Sequence, residues 1–263
     1  MKILITGGAG YLGSVLVPML LQGNHDVTVL DNFKYRQPSL MSWCFHPRLT
    51  LINNDVRSYG NYQGQLDQVE VIIPLAALVG APLCDKDPTA ATAVNTYVIE
   101  SLCFSTRPDQ TILYPMTNSG YGTGGEAECT EESILLPVSL YGKSKVEAER
   151  AVLAHPRGIS FRFATLFGCS PRMRLDLLVN DFTYRAVRDK SLTLFEGGFR
   201  RNYLHVQDAA SVFLFALDRK YRKVYGILVV EELRNMDQMF GQAYNVGLSS
   251  ANLSKRELCV KIA

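Results

Sequence analysis

No apolar run in these 263 residues approaches the roughly 20 that a helix needs to cross a bilayer, so no membrane span is expected. Charge of one sign is also missing. The 27 Lys and Arg against 25 Asp and Glu leave a net +2, too little to argue for nucleic acid or an acidic membrane surface as partner. The six cysteines, Cys44, Cys84, Cys103, Cys129, Cys169 and Cys259, are scattered, with no C-x-x-C spacing and no paired histidines beside them. That excludes a zinc site and a disulfide framework, and no metal is expected. The thiols read as buried or idle, and reduced cysteines point to the cytoplasm. The opening MKILITGGAG breaks into glycines too early for a secretory signal. There is no internal repeat and no low-complexity stretch. With 47% hydrophobic and 20% charged residues, the chain has the makings of one globular domain, or one domain with a small appendage.

What is present is an alternation. Short apolar runs at residues 2–6, 26–30, 49–53, 69–76, 111–117 and 159–167 are mostly continuous rather than in/out patterned, as in strands covered on both faces. Helical stretches lie between and after them at 11–22, 89–104, 140–154 and 177–190. Strand, helix, strand in succession predicts an α/β fold with a doubly wound parallel sheet of the Rossmann kind. After about residue 170 the rhythm loosens. Short strands at 192–195, 203–206 and 243–246 mix with helices at 207–219 and 254–262, while 220–240 resists placement. This reads as a Rossmann domain over 1–168 and a smaller substrate lobe over 169–263, interleaved with it.

The strongest motif is Thr6-Gly7-Gly8-Ala9-Gly10-Tyr11-Leu12-Gly13, which follows a predicted strand and opens a predicted helix. Gly7, Gly10 and Gly13 permit a tight turn and close backbone approach. The helix start, with Tyr11 and Leu12, offers N–H groups and a positive dipole end to a pyrophosphate. A plain strand–helix turn is the bland alternative, and the context argues against it. The second strand ends in Asp31-Asn32, with Asp31 24 residues after Gly7, a suitable spacing for a carboxylate on the adenosine ribose hydroxyls. That carboxylate would repel a 2′-phosphate, which favours NAD over NADP, although Arg36 nearby softens the preference. Asp55 and Val56 at the end of the third strand are candidates for the adenine edge. The small run Leu75-Ala76-Ala77 would let a dinucleotide lie across the sheet edge.

Tyr141 and Lys145 stand at i and i+4, on one face if the segment is helical. A tyrosine is a poor base at neutral pH, but a nearby ammonium and an oxidised nicotinamide would favour its phenolate. Such a tyrosine can take a proton from a sugar hydroxyl while hydride leaves the same carbon. Alone, Y-x-x-x-K is weak, because it occurs by chance on many helix surfaces. It gains weight from the glycine motif and from Thr117, which ends a strand 24 residues before Tyr141 with a hydroxyl aimed at the sheet's ligand-binding edge.

Together these residues resemble the extended short-chain dehydrogenases/reductases that act on nucleotide sugars, the NAD-dependent epimerase/dehydratase group, along nearly the whole chain. The resemblance implies NAD as cofactor and a nucleotide-sugar substrate. It also implies that Asn95 supports the active-site helix beside the cofactor, and that Arg201, in Arg201-Asn202-Tyr203-Leu204-His205, pairs with the nucleotide diphosphate, as guanidinium geometry suits. Asn118 and Asn180 are further substrate candidates, with Arg172 and Arg174 behind them. Sugar 4,6-dehydratases of the family carry an acidic pair just after the threonine, where Asn118 and Ser119 stand here. Neither works as a carboxylic acid or base, so dehydration and decarboxylation both lose ground and simple redox at the sugar's 4-position remains, as a dehydrogenase or an epimerase. Segments 74–84, 117–122 and 170–182 are similar to GDP-manno-heptose 4-dehydrogenases of bacterial capsule synthesis. Extended members continue well past Tyr244-Asn245-Val246-Gly247 and little follows here, which leaves the sugar half of the resemblance thinner. The competing reading is a non-catalytic NAD-binding module. Family usage also implies a homodimer through helices 89–104 and 140–154.

Overall fold

A computed structural model of the chain describes residues 1–123, 129–217 and 236–262. From the N-terminus come β1 (Lys2–Thr6), α1 (Gly13–Gln22), β2 (Asp26–Asp31), β3 (Leu49–Asn53), α2 (Gln63–Leu66) and β4 (Val71–Pro74). Next are α3 (Ala81–Lys86), α4 (Pro88–Thr92), a π-turn (Ala93–Tyr97), α5 (Val98–Ser105), β5 (Thr111–Thr117) and α6 (Leu140–Ala154). Then follow β6 (Gly158–Phe163), β7 (Thr165–Phe167), α7 (Leu178–Asp189), β8 (Arg200–His205) and α8 (Val206–Leu217). The last elements are β9 (Gln242–Val246), β10 (Asn252–Ser254) and α9 (Lys255–Ile262).

Seven of these strands form one all-parallel sheet in the order β3-β2-β1-β4-β5-β6-β9. Its continuous apolar runs have a direct use. Along β1, Ile3 and Ile5 face one core with Val27, Val29, Val71, Ile73 and the buried side of α1 and α8. Leu4 faces the other way, with Leu30, Ile72, Ile112, Tyr114 and residues of α5 and α6. Period-two alternation thus feeds two cores, one per sheet face, which is why the apolar runs are continuous rather than alternating. The chain changes winding direction between β1 and β4, and the carboxyl ends of those two strands open the crevice in which such sheets bind ligands.

A second, three-stranded sheet is ordered β10-β8-β7, with β10 antiparallel and β7 parallel to β8. It packs on α7 and α9 through a small cluster of Phe182, Tyr203 and Leu258. The run expected as one strand over 159–167 is therefore two. It breaks at Ala164, whose N–H turns to the carbonyl of Val246, and its halves enter different sheets. A strand expected over 192–195 does not form. Lys190 and Glu196 bracket it in left-handed conformation, Leu192 and Leu194 tuck against the small cluster, and β10 takes the place beside β8. The helix expected over 89–104 is a longer helical run, 88–105, containing the π-turn. Of the helix expected over 207–219, positions 218 and 219 lie outside the described residues, as does most of the unplaced stretch 220–240.

Candidate active site

The glycine motif forms the turn between β1 and α1. Gly7 has φ +71°, and a Cβ there would sit 2.6 Å from the backbone nitrogen of Ala76 at the end of β4. Gly13 lies so close to Gly8 that a Cβ would fall 2.5 Å from its carbonyl oxygen. These two glycines let the turn, the β4 edge and the helix converge. No side chain caps the first turn of α1; Ser14 and Val15 give their N–H groups to the Gly10 and Leu12 carbonyls, and the positive end of the helix dipole stands at the crevice. A dinucleotide pyrophosphate fits that arrangement.

Asp31 does more than end β2. Its carboxylate accepts the N–H of Ala9 (3.0 Å) and of Phe33 (2.8 Å), tying the glycine turn to the β2 loop while keeping lone pairs for a ribose. Asn32 reaches Asp55 at 3.3 Å. Asp55 is held in a fork by Arg57, at 2.8 Å through both Nε and Nη2, which keeps its carboxyl well below the usual carboxylate range. Val56 is buried, with its carbonyl accepting the Tyr62 hydroxyl. Leu75 and Ala76 lean on Thr6 through backbone and hydroxyl bonds, with Ala77 following.

The π-turn explains Asn95. Buried there, its amide accepts the N–H of Leu78 (2.8 Å) and donates to the Leu78 carbonyl (3.0 Å) and to Ser144 of α6 (3.3 Å). It therefore joins the loop after β4 to the helix that carries Tyr141 and Lys145. α6 begins at Ser139, whose hydroxyl accepts the Gly142 N–H, and ends before Pro156, which cannot continue it. Thr117 closes β5, and its hydroxyl accepts the Ser119 N–H at 3.2 Å. Asn118 and Ser119 start the short turn that follows.

Tyr141 and Lys145 are neighbours on one face of α6. Burial pushes the Tyr141 hydroxyl up to about 12; the Arg174 guanidinium and hydrogen bonding to Thr117 pull the other way. Burial drags the Lys145 ammonium down to about 7, against the pull of Glu149. The ammonium lies 4.0 Å from the centre of the Tyr114 ring, beneath it on β5. The sequence points to Lys145 as the charge acting on Tyr141. The structure adds Arg174, whose side chain is only 17% exposed and pairs with Asp176.

The other substrate candidates separate. Asn180 is buried, and its amide bonds the Gly168 N–H (2.9 Å), the Arg174 carbonyl (2.9 Å) and the Tyr11 hydroxyl (3.2 Å). It is spent on holding the 168–174 loop, not left open to a ligand. Tyr11 in turn donates to the Gly168 carbonyl at 2.7 Å, so the glycine motif and the loop are bolted together. Arg201 is exposed on β8, its guanidinium 5.2 Å from the Phe199 ring centre. Sequence reasoning missed Tyr114, Glu149 and Arg162. The available signal was Arg162, an arginine inside the otherwise uncharged run of β6; Glu149, on a helix with exposed charges at Lys143, Glu147 and Arg150, gave none.

The family model for the NAD dependent epimerase/dehydratase family matches residues 3–247. The chain is 30% identical to UDP-glucuronic acid decarboxylase 1 of Xenopus tropicalis over 220 residues, 79% of this chain and 51% of that protein. It is 25% identical to a putative UDP-glucose 4-epimerase of Methanocaldococcus jannaschii over 229 residues, 83% of this chain and 74% of that one. The chain thus spans about half the length of the vertebrate decarboxylase. Among solved structures, the dTDP-glucose 4,6-dehydratase DesIV from Streptomyces venezuelae, with NAD and TYD bound, aligns with a TM-score of 0.81 at 25% identity, covering 100% of this chain and 80% of that one. A Thermus thermophilus UDP-glucose 4-epimerase complex with NAD shares the fold, with a TM-score of 0.77 at 24% identity over 100% of this chain and 82% of its own. With the Rossmann sheet, the glycine turn and the tyrosine–lysine helix in place, the match over nearly the full length settles the kinship: the chain belongs to the NAD dependent epimerase/dehydratase family.

Proposed function

We propose that this chain is an enzyme that uses NAD to oxidise or reduce the 4-position of a nucleotide-activated sugar. The observation that carries the reading is the hydrogen bonding of Tyr141 to Thr117 at the carboxyl end of β5, with Lys145 one helical turn from Tyr141 on α6. NAD, when bound, supplies a hydride acceptor and donor. The turn with Gly7, Gly10, Tyr11, Leu12 and Gly13 holds its pyrophosphate, Asp31 and Asn32 its ribose, Asp55 and Val56 its adenine edge, and Leu75, Ala76, Ala77 and Asn95 its flank. Tyr141 takes the proton from the sugar hydroxyl and returns it in the reverse direction. Lys145 supplies the positive charge that favours the phenolate, and Thr117 orients the reacting oxygen. Arg174 adds a second positive charge to that corner. Asn118 lies beside the sugar, and Arg201 takes the diphosphate from the lobe over 169–263.

Two features favour redox without elimination. Asn118 and Ser119 offer no carboxylic acid beside Thr117. Ser119 is instead engaged with Thr117, backbone and hydroxyl both. A GDP-heptose is the sugar nucleotide that segments 74–84, 117–122 and 170–182 favour. A second copy of the chain is the expected partner, through the helical run bearing Tyr97 and Phe104, 60% and 93% exposed.

The test begins with denaturing the purified protein and identifying the released cofactor. Tyr141→Phe and the parent are then assayed on GDP-, UDP- and dTDP-sugars. Turnover in the variant is expected to fall by about 100- to 10,000-fold. Unchanged turnover removes Tyr141 from the chemistry, and bound NAD with no turnover of any sugar favours a non-catalytic module. Accumulation of a keto sugar with NADH marks a dehydrogenase; interconversion of 4-epimers without net NADH marks an epimerase.

A further inference from the structure

Among the described residues, the Lys, Arg, Asp and Glu side chains that are more than nine-tenths buried are three, and they lie together: Lys145, Glu149 and Arg162, at 4%, 2% and 6% exposure. Glu149 follows Lys145 by one helical turn, on the same face of α6. Its carboxylate is held from β6 on both oxygens. Ser160 donates to Oε1 at 2.6 Å, Arg162 Nε to Oε1 at 2.9 Å, and Arg162 Nη2 to Oε2 at 2.9 Å. The remaining edge of Arg162 is used as well. Its Nη1 donates to the Tyr121 hydroxyl (2.8 Å) and the Glu131 carbonyl (2.9 Å), and Tyr121 passes the chain on to Asn245 of β9 at 2.7 Å.

A buried ion pair is a poor stabilising device, because desolvation consumes most of what the attraction gains. What this one has is position. Tyr121 ends the turn that starts at Asn118, directly after Thr117, and Glu149 sits directly after the Tyr141–Lys145 turn. The network therefore joins the two strand and helix ends that bring the proton-handling groups together.

We propose that Glu149, gripped by Arg162 and Ser160, is a positioning residue for Lys145, presenting a fixed negative charge one turn behind the ammonium. Burial in the apolar face of β5 works against a charged lysine, and Glu149 is the charge that opposes it. The groups facing Lys145 are Glu149 on its own helix and Tyr114 on β5, and Tyr114 in turn is reached by Tyr141. Cys103 of α5 reaches Tyr114, and Cys84 of α3 reaches Tyr141. Facing Glu149 are Ser160 and Arg162, with Tyr121 and Glu131 beyond them.

The inference rests on Tyr141 and Lys145 being the proton-handling pair, so its readout needs neither substrate nor turnover. In protein made with carbon-13 at lysine Cε, the Lys145 signal is assigned by its loss in Lys145→Arg and titrated in the NAD-loaded and stripped protein. Glu149→Gln/Arg162→Gln removes both charges together and leaves an amide pair. Its Lys145 midpoint is expected to fall by up to about 1 pH unit, because Glu149 is the member of the pair that acts on Lys145 and its lost attraction outweighs the lost Arg162 repulsion. Where turnover is measurable, its alkaline limb moves down with it. A purely structural pair lowers the melting temperature and leaves the midpoint in place, and that outcome in a folded variant overturns the proposal. If the double variant does not fold, Ser160→Ala decides. It loosens the carboxylate without exposing a charge, and a midpoint unmoved there equally overturns the proposal, against an expected fall of a few tenths of a unit. Failure of the catalytic reading shows separately, as full turnover in Tyr141→Phe with the Lys145 titration unaffected.

Discussion

The two ends of the crevice are built from different materials. The cofactor end is made of backbone: the glycine turn pressed on Ala76, the Asp31 carboxylate on two amides, and central strands such as β1 and β4 whose apolar side chains are buried on one face or the other. The end proposed for the sugar is made of side chains on loops, on α7 and on a small sheet. Its ion pairs, such as Arg200–Glu257, Arg185–Asp181 and Arg188–Asp189, largely face water. Pairs of that kind contribute little to stability, because water screens them. Backbone geometry fixes one shape and tolerates little change; solvated side chains define a surface that can be re-cut for a different sugar without disturbing the fold.

The comparison breaks most visibly at Gly7. An alanine there must hold φ near +71° and place a methyl 2.6 Å from the Ala76 nitrogen. Left-handed strain costs about 1–2 kcal/mol and the overpacking about 1–3, so roughly 2–5 kcal/mol of stability is expected to go. Chemical denaturation measures that loss, and the NAD recovered from the purified variant should drop toward zero. Full stability with full NAD content would mean that the turn relaxes, and that backbone does not set this end.

The next effect in size tests whether the ends are independent. Asn180→Ala leaves the Gly168 N–H, the Arg174 carbonyl and the Tyr11 hydroxyl short of a partner. Unsatisfied buried groups cost about 1–3 kcal/mol, so a loss near 2 kcal/mol is expected. Because Tyr11 belongs to the glycine motif, NAD should also dissociate faster, although Asn180 sits in the other half of the chain. A stability loss with unchanged NAD release would confine Asn180 to its own lobe.

This division also governs what could be read in the sequence. The doubly wound sheet was legible because burial on both faces forces continuous apolar runs, and the glycine turn because few other residues can occupy it. The Tyr141–Lys145 pair was legible because helix geometry alone brings i and i+4 together. What was not legible depends on contacts across long separations. The Tyr11–Asn180 bond joins residues 169 apart, and the Arg162–Glu149 pair joins two elements whose mutual register no local pattern specifies. The break of 159–167 at Ala164 was hidden for the same reason, since it depends on where Val246 lies. The unformed strand at 192–195 shows the converse: apolar residues suited to a strand had no free edge, because β10 occupied it.

The smallest effect sharpens the comparison from the sugar side. Arg201 is exposed on β8, stacked near Phe199. Its removal strips a surface cation and part of a cation–π contact, so Arg201→Ala should change stability by no more than about 0.5 kcal/mol. If it binds the diphosphate, the cost appears only when substrate is present. A lost charge-assisted contact of about 1.5–3 kcal/mol raises KM roughly 10- to 100-fold, with kcat and NAD content little changed, because uniform binding is what was removed. Arg201→Lys keeps the charge but loses the fork and should recover only part of the affinity. The useful contrast is with Gly7→Ala: one variant loses fold and cofactor together, and the other keeps both and loses only the substrate. Should Arg201→Ala leave KM alone, the diphosphate is held elsewhere, and Arg172, stacked 3.8 Å from the Tyr35 ring beside the glycine turn, becomes the next residue to change.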